Sequence, residues 1–398
     1  MYQNTDYRNR RYNQARTQKY SSSRSRSRQP KKAFIHPSKF VQSAKPITKE
    51  TYISKHNFID FGLVDLIQQN LQSMKFQIPS PIQDQAIPYG LSGRDIVGIA
   101  NTGTGKTAAF AIPVLNKLIS VHTSKAIILA PTRELAEQIE QQCLTIGKTS
   151  GLDGALLIGG VSMRNQLSDL GYNPRIVIGT PGRVKDHLER GSLKISDFNI
   201  VVLDEVDRML DMGFVQDITH ILSLVNSDKQ SFFFSATLDN RVKKIIESFS
   251  DKPIYISVKM GETSENVEQN VVEYSSVNKI DKLHDILIDS NTTKTLIFDD
   301  TQKSVEKLSR ELVARGFSAD SMHGGKSQAQ RQRVLKKFKT NEIAVLVATD
   351  VAARGLDVSD ITHVINYSLP QSYEDYVHRI GRTGRANKVG HALTFIEQ

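Results

Sequence analysis

A glycine-containing loop stands between an apolar run and an amphipathic stretch in DIVGIANTGTGKTAAF, residues 95–110. The amides of such a loop and of the helix that follows bind phosphates, while Lys106 would reach the outer phosphates and Thr107 would bind Mg2+. Ala100 replaces the first glycine of the general pattern, but Gly103 and Gly105 remain where the backbone must turn. An incidental glycine turn would not explain the strand-to-helix context. We therefore predict a nucleotide site at Ala100, Asn101, Thr102, Gly103, Thr104, Gly105, Lys106 and Thr107.

Three carboxylates follow a second apolar run in IVVLDEVD, residues 200–207. Alone they would be weak evidence, because a buried strand can simply end in solvent. Beside a phosphate-binding loop, Asp204 is the expected Mg2+ partner, and Glu205 is expected to polarise the water that attacks the γ-phosphoryl group. Together with Lys106, these side chains predict hydrolysis of a nucleotide at its γ-phosphoryl group.

An arginine-rich segment, YVHRIGRTGR, occupies residues 376–385. Arg382 and Arg385 lie three residues apart and are predicted to neutralise charge in the transition state, as arginine fingers do. The alternative is a solvated basic patch that binds RNA phosphates.

Short apolar runs rich in β-formers alternate with amphipathic stretches from residue 51 onward. The predicted strands are DIVGIA, AIILA, ALLIGG, RIVIGT, IVVLDE and SFFFSAT and, after a polar stretch near residues 251–270, KTLIFDD, SADSMHG, IAVLVAT and HVINYSL. Alternation of this kind predicts parallel sheets with helices on both faces. The fold class is therefore α/β, with domains at residues 51–255 and 268–398 and a linker at residues 256–267.

Length and composition limit the class of protein. The chain has 398 residues, of which 39% are hydrophobic, enough for two domains. No apolar run is long enough to span a membrane, and the N-terminus resembles no secretory signal, so we expect a soluble intracellular protein. The single cysteine, Cys143, excludes an intramolecular disulfide, and the helical spacing around it predicts a packing residue.

The basic charge is concentrated at the N-terminus. The chain carries a net charge of +10, and residues 1–50 alone carry +11, which leaves −1 for the remainder. Few aliphatic residues and many arginines and tyrosines predict a disordered tail over residues 1–50, although residues 33–50 also read as a partly docked linker. We expect the tail to add sequence-indifferent affinity for RNA, the alternative being a solvated extension.

From about residue 55 to 398, the chain resembles the DEAD-box ATP-dependent RNA helicase family, with every motif in order. The matching segments are KFQIPSPIQ, ANTGTGKT, PTRELA, the Gly159–Gly160 pair, TPGR, DEVD, SAT, LIFDDTQ, HGGKSQAQR, ATDVAARGLD and HRIGRTGR. The resemblance covers both domains. It implies two tandem RecA-like domains that use ATP and Mg2+ and bind RNA.

The resemblance also implies roles for individual residues. Phe58 would pack on the adenine base, Gln83 would read its edge, and Asp357 would contact the ribose. The implied contacts to the RNA backbone come from Thr132, Arg133, Gly160, Thr180 and Arg183 in the first domain and from Gln328, Arg331 and Thr349 in the second. Contacts to sugar and phosphate carry no sequence information, so we expect nonspecific RNA binding.

A further implied role is coupling between the nucleotide site and domain closure. Ser235 and Thr237 resemble the motif that makes this link, and Asp207 is its expected partner. ATP and RNA would draw the two domains together, complete the arginine fingers and bend one RNA strand, and hydrolysis would reset the clamp. Each ligand should then raise the affinity for the other.

The chain departs from the family pattern at three of these positions. Val206 stands where alanine is usual, and since all three acidic side chains are kept, we predict that it is tolerated. Ser80 replaces threonine but keeps the hydroxyl. Asn101 stands where glutamine is common, and we attach no consequence to it.

The sequence thus predicts an ATP hydrolase that unwinds short RNA duplexes or remodels RNA–protein complexes. Its core is expected to be monomeric, in the cytoplasm, or in the nucleus if the source is eukaryotic. Two rival functions are a non-catalytic, ATP-gated RNA clamp or annealing factor and a DNA-directed helicase. A clamp would not need Glu205, Arg382 and Arg385, and the Q motif and PTRELA argue against a DNA substrate.

Overall fold

Two parallel β-sheets, one in each half of the chain, form the framework of the protein. The computed structural model describes residues 35–44, 52–101, 103–258, 266–289, 291–353, 358, 360–384 and 388–398. Of the predicted site residues, Thr102, Asp357 and Arg385 lie outside the described residues, as do residues 1–34 and 45–50 of the predicted tail. The described parts of Ile35–Gln398 belong to one compact unit.

The first sheet consists of seven strands in the described residues. They are β1 (Ile96–Ile99), β2 (Ala126–Leu129), β3 (Gly154–Leu157), β4 (Ile176–Gly179), β5 (Ile200–Leu203), β6 (Gln230–Ser235) and β7 (Ile254–Ser257), in the order β3-β4-β2-β5-β6-β1-β7. Its helices are α1 (Asp65–Ser73), α2 (Pro81–Leu91), α3 (Lys106–Ser120), α4 (Arg133–Ile146), α5 (Met163–Gly171), α6 (Pro181–Glu189), α7 (Val206–Asp211), α8 (Val215–Leu224) and α9 (Asn240–Phe249). All strand pairs are parallel, so their carboxyl ends share one edge.

The second sheet consists of six strands in the described residues. They are β8 (Val267–Tyr274), β9 (Thr295–Phe298), β10 (Ala319–Met322), β11 (Val345–Ala348), β12 (His363–Asn366) and β13 (Gly390–Glu397), in the order β10-β11-β9-β12-β13-β8. Its helices are α10 (Lys279–Leu287), α11 (Gln302–Ala314), α12 (Gln328–Lys339), α13 (Asp350–Ala353) and α14 (Tyr373–Ile380). These strands also pair in parallel.

Helices bury both faces of the first sheet, which explains why its central strands are continuously apolar. On β6, Phe232 and Phe234 pack into one apolar layer and Phe233 packs into the other, because successive side chains of a strand point to opposite faces. Cys143, on α4, is buried in the first of these layers, and burial raises the pKa of its thiol to about 12. The prediction of a packing cysteine is therefore confirmed.

The predicted α/β class and all ten predicted strands are confirmed. Sequence reasoning missed β7, β8 and β13; β7 and β8 are edge strands whose side chains are only partly buried, which weakens the apolar signal. The predicted linker, residues 256–267, overlaps a strand of each sheet. β7 pairs with β1 as far as residue 257, and β8 begins at Val267, so the two ends of the predicted linker belong to the two sheets.

The predicted disorder over residues 1–50 is wrong for residues 35–44, and the alternative reading, a docked linker, is correct there. Pro37–Phe40 form a 3-10 turn, and Phe40 is buried. The buried ring of Phe40 anchors this segment, and the basic composition of the surrounding tail hid that apolar contact from the sequence prediction. In the described residues, no helix has the length and apolar character needed to cross a membrane.

Candidate functional site

The loop predicted to bind phosphates leaves the carboxyl end of β1 and enters α3 through residues in the left-handed region. Gly103 has φ of 83° and Gly105 has φ of 92°, conformations that glycine adopts without steric strain. The side chain of Lys106 is buried, and its Nζ donates to the carbonyl of Ala100 at 2.9 Å. Thr104 Oγ1 donates to the carbonyl of Asn101 at 2.8 Å, so the loop is held from within.

The start of α2 supports this loop from outside. Gln83 Oε1 accepts from the amide of Ser80 at 2.9 Å, and its Nε2 donates to the carbonyl of Gly105 at 3.1 Å. Ser80 Oγ donates to the carbonyl of Thr104 at 2.8 Å, so the serine that replaces threonine keeps this contact. A Cβ on Gly105 would come within 2.4 Å of Gln83 Nε2. Gln83 therefore lies against the nucleotide loop.

Phe58, unlike Gln83, packs among other aromatic side chains. Its side chain is only 2% exposed, and its ring packs edge-on against Phe61 and Phe76 at centroid distances of 5.7 and 5.4 Å. In this arrangement Phe58 has no accessible face for a base, which argues against the predicted stacking role. Phe76, which it supports, is half-buried and lies in the segment that leads to Gln83.

The carboxylates of DEVD lie at the end of β5, on the edge where the loop after β1 also lies. Asp204 is 2% exposed, and burial raises its pKa to about 7 against the opposing charge of Lys106. Glu205 adopts φ of 53° and is also buried, but Arg208, Lys106 and Arg382 outweigh the burial and lower its pKa to about 2. Glu205 therefore stays ionised at neutral pH.

Arg208 is the direct partner of Glu205, through an ion pair within α7 in which both side chains are less than 10% exposed. Sequence reasoning missed Arg208. The signal was available, since a glutamate and an arginine three residues apart at a helix start lie on one face.

Asp207 joins the ends of β5 and β6. Its Oδ2 accepts from the amides of Ala236 and Thr237 at 3.0 and 2.9 Å and from Thr237 Oγ1 at 3.1 Å. Its amide donates to Ser235 Oγ at 3.3 Å. The structure thus brings together the three residues expected to act in coupling.

The segment after α14 carries Arg382, whose side chain is 5% exposed. Arg382 lines one cavity with Arg208 of α7, the helix that follows the end of β5, and the positive charge of Arg382 contributes to the low pKa of Glu205. Arg379 makes a bidentate pair with Asp350 at 2.6 and 2.7 Å and donates to the carbonyl of Ser368 at 2.7 Å. Arg379 therefore orders the helix end, whereas the charge of Arg382 acts on Glu205.

The residues expected to hold RNA in the first half follow three adjacent strands, β2, β4 and β3. Thr132 caps α4, Thr180 caps α6, and Gly160 turns after β3 with φ of 77°. The guanidinium of Arg133 lies against Gly160, where an added Cβ would fall within 2.2 Å of its NH1. Burial and the positive charges of Arg331 and Arg183 lower the pKa of Arg133, so these three arginines share one region.

Two of the three residues expected to hold RNA in the second half, Arg331 and Gln328, contact acids of α4. Arg331 NH2 lies 2.8 Å from Glu134 Oε1, and Gln328 Nε2 donates to Glu137 Oε1 at 3.1 Å. Thr349 follows β11, and its amide donates to the carbonyl of Met322 at 3.2 Å. Sequence reasoning missed both glutamates, since no local pattern marks a contact nearly 200 residues away along the chain.

Two family profiles match the chain. The DEAD/DEAH box helicase profile matches residues 80–245, and the helicase conserved C-terminal domain profile matches residues 278–387. The two matches lie on the first and the second sheet domain respectively.

Curated relatives match across both domains. The DEAD-box ATP-dependent RNA helicase CshA of Bacillus subtilis is 45% identical over 341 residues, which cover 85% of this chain and 69% of that protein. CshA of Bacillus cereus is 45% identical over 341 residues, 85% of this chain and 65% of that protein. The chain thus spans just under two thirds of the length of the Bacillus cereus relative.

A solved structure of Saccharomyces cerevisiae Dbp5 bound to RNA and ADP BeF3 is similar to this chain. The TM-score is 0.76 at 30% sequence identity, covering 86% of this chain and 89% of that one.

Proposed function

Because this chain belongs to the DEAD-box ATP-dependent RNA helicase family, we propose that it is an RNA-stimulated ATP hydrolase that separates short RNA duplexes or remodels RNA–protein complexes. One observation carries the proposal. Arg382 of the second domain lines one cavity with Arg208, the ion-pair partner of Glu205 in the first domain, where the water that attacks the γ-phosphate would need a base.

ATP would bind at the loop between β1 and α3. The amides at the start of α3 and Lys106 would meet the phosphates, while Gln83, already hydrogen-bonded to Gly105, would hold the loop beside the base. Phe76 is a better candidate than Phe58 for contact with the base, since part of its side chain is accessible. The proposed ribose contact of Asp357 lies outside the described residues.

Mg2+ fits the donor set at this edge. Asp204 is a buried carboxylate with a raised pKa, an arrangement that a cation would relieve, and Thr107 offers a hydroxyl at the start of α3. When bound, Mg2+ would neutralise phosphate charge; Thr107 and Asp204 would hold it.

The residues of the chain supply the remaining steps. Glu205, ionised at neutral pH, would orient the attacking water and accept its proton. Lys106 and Arg382 would stabilise the charge that develops on the phosphoryl oxygens, and Arg385, outside the described residues, is assigned the same role. Asp207 would relay the nucleotide state to Ser235 and Thr237 through the hydrogen bonds at the end of β6.

RNA would bind across both halves through its backbone. Arg133 and Arg183, with Thr132, Gly160 and Thr180, would meet phosphates and sugars on the first domain. Gln328, Arg331 and Thr349 would do so on the second. Side chains of this kind, grouped at the carboxyl ends of strands, support sequence-nonspecific binding. We assign additional RNA affinity to the basic residues before position 35, a monomeric state to the core, and a cytoplasmic location to the protein.

An unwinding assay tests this function. RNA and DNA duplexes of equal length are compared, each with ATP and with a non-hydrolysable analogue. Release of the RNA strand with ATP, faster than release of the DNA strand, is the expected result. Equal RNA binding with ATP and with the analogue, without ATP hydrolysis, would identify a clamp. Faster release of the DNA strand than of the RNA strand would identify a DNA helicase.

A further inference from the structure

Residues 35–44, which we call the arm, precede the first domain in sequence but pack on the second. Phe40 is 1% exposed, and its ring meets Tyr376 of α14 edge-on at a centroid distance of 4.8 Å. The buried cluster around it consists of Val267, Tyr376, Ile380 and Ala392. A buried aromatic ring of this size is the main apolar contribution of the arm.

Backbone hydrogen bonds fix the arm at the edge of the second sheet. The amide of Gln42 donates to the carbonyl of Gln269 at 3.0 Å, and the amide of Gln269 donates to the carbonyl of Gln42 at 2.8 Å, forming an antiparallel bridge to β8. Gln269 Oε1 accepts from Tyr376 Oη at 2.9 Å, which links this bridge to α14. Lys39 Nζ lies 5.3 Å from the ring centroid of Tyr373 on the same helix. The arm therefore contacts the edge strand and α14 together.

The helix that the arm covers leads directly to the arginine proposed to act on the phosphoryl group. Tyr376 and Ile380 pack in the cluster of Phe40, and α14 ends at Ile380, two residues before Arg382. Elsewhere on the helix, Arg379 is held by Asp350. The ion pair of Arg379, the hydrogen bond from Tyr376 to Gln269 and the apolar contact with Phe40 thus all hold α14 in position.

We propose that the arm is a positioning element for hydrolysis, in which Phe40 fixes α14 and thereby the placement of Arg382. This inference rests on the proposed function. Loss of the Phe40 contact removes an apolar anchor of α14, so Arg382 samples positions away from the phosphoryl group. Misplacement of a transition-state donor lowers turnover more than binding, because the donor acts mainly in the transition state.

The test compares Phe40→Ala with Val41→Ala in the full chain. Val41 is the next residue of the arm and is 56% exposed, so its truncation should leave activity unchanged. Phe40→Ala should lower the kcat of RNA-stimulated ATP hydrolysis about tenfold, with the KM for ATP and RNA within about twofold. Phe40→Leu, which refills part of the cluster, should restore most of the rate.

A double-mutant cycle separates positioning from general damage. In an Arg382→Ala background, Phe40→Ala should cause no further loss of kcat, since the residue through which it acts is gone. Gln42→Pro removes the amide that donates to Gln269 without touching the cluster, and should lower kcat in the same direction by less. Thermal unfolding and hydrogen exchange of β8 and α14 accompany each variant, and exchange should rise in Phe40→Ala.

Two results would overturn the proposal: an unchanged kcat in Phe40→Ala, or a loss that adds fully to that of Arg382→Ala. If Phe40→Ala unfolds, Gln42→Pro decides by the same criteria. Absence of ATP hydrolysis in the unmodified chain would instead refute the proposed function. Even in a chain without ATP hydrolysis, unchanged hydrogen exchange in β8 and α14 of Phe40→Ala would refute docking of the arm.

Discussion

Replacing Asp207 by asparagine should break the link between the end of β5 and the end of β6. The carboxylate accepts four hydrogen bonds, one at Oδ1 from the amide of Arg208 at 2.9 Å and three at Oδ2 from Ala236 and Thr237. Asparagine has the same shape but only one oxygen. If that oxygen faces Ala236 and Thr237, the NH2 group of the asparagine points at the N–H of Arg208, and two donors face each other. In the reverse orientation, the NH2 group points at the three donors of Ala236 and Thr237.

The size of the effect follows from these contacts. A hydrogen bond to a charged group is worth about 1.5–3 kcal/mol and a neutral one about 0.5–1.5 kcal/mol. Asp207→Asn loses one charged bond and weakens three by about 1 kcal/mol each, so the free energy of unfolding should fall by about 4.5–6 kcal/mol. Thr237→Val removes only the bond from Oγ1, and because Thr237 is exposed, the loss should be about 1 kcal/mol.

Urea unfolding measures the free energy of unfolding, and parallel ATPase and unwinding assays measure how strongly strand release is coupled to ATP hydrolysis. Strands released per ATP hydrolysed should fall about tenfold in Asp207→Asn and less in Thr237→Val, because a coupling free energy of about 1.4 kcal/mol is a factor of ten. Thr219→Val changes an exposed threonine of α8 and should alter neither property. The reasoning is refuted if Asp207→Asn unfolds within about 0.5 kcal/mol of the unmodified chain, or if unwinding and hydrolysis fall in equal proportion.

Three further predictions concern other parts of the molecule. Val206 is fully buried in the same apolar cluster as Met209, so Val206→Ala should lower the free energy of unfolding by about 1–2 kcal/mol. RNA-stimulated ATPase activity should change by less than about tenfold, and a change of about a hundredfold would show that the valine matters for catalysis. Burial and the charge of His391 lower the pKa of His363 to about 4, so between pH 6.5 and pH 4 the unfolded chain binds a proton that the folded chain excludes. The free energy of unfolding should therefore fall by about 3 kcal/mol over this range. His363→Phe should lack this loss in thermal unfolding, and a pH profile identical to that of the unmodified chain would contradict the prediction. Removal of residues 1–34, which carry most of the excess positive charge but exclude the arm, should raise the KM for RNA at low salt and leave kcat unchanged, and an unchanged KM would show that the tail adds no affinity.

The parts of the fold that the sequence predicts are those written in contiguous residues. The loop around Lys106 and the carboxylates of Asp204 and Glu205 follow apolar strands and precede helices, so strand, turn and side chain are specified within one short segment. Parallel pairing then places both at the same edge of the sheet without further information. The resemblance to a family extends this to Arg382 in the second domain.

The parts that sequence reasoning missed depend on residues far apart in the chain. Gln42 and Gln269 are 227 positions apart, and the arm segment reads as an extension of the basic tail. The burial of Phe58 depends on the packing of Phe61 and Phe76 around it, which no periodicity reveals. Arg331 and Glu134 meet across the two domains, and their pairing is set by tertiary structure alone.

Hydrolysis of ATP by Glu205→Gln tests the account most directly. Glutamine keeps the size of the side chain and can still accept from Arg208, but it cannot take a proton from water. RNA-stimulated hydrolysis should fall at least about a hundredfold, while affinities for ATP and RNA stay within about threefold of those of the unmodified chain. Hydrolysis at the unmodified rate would contradict the assignment of Glu205 as the base, and with it the proposed mechanism.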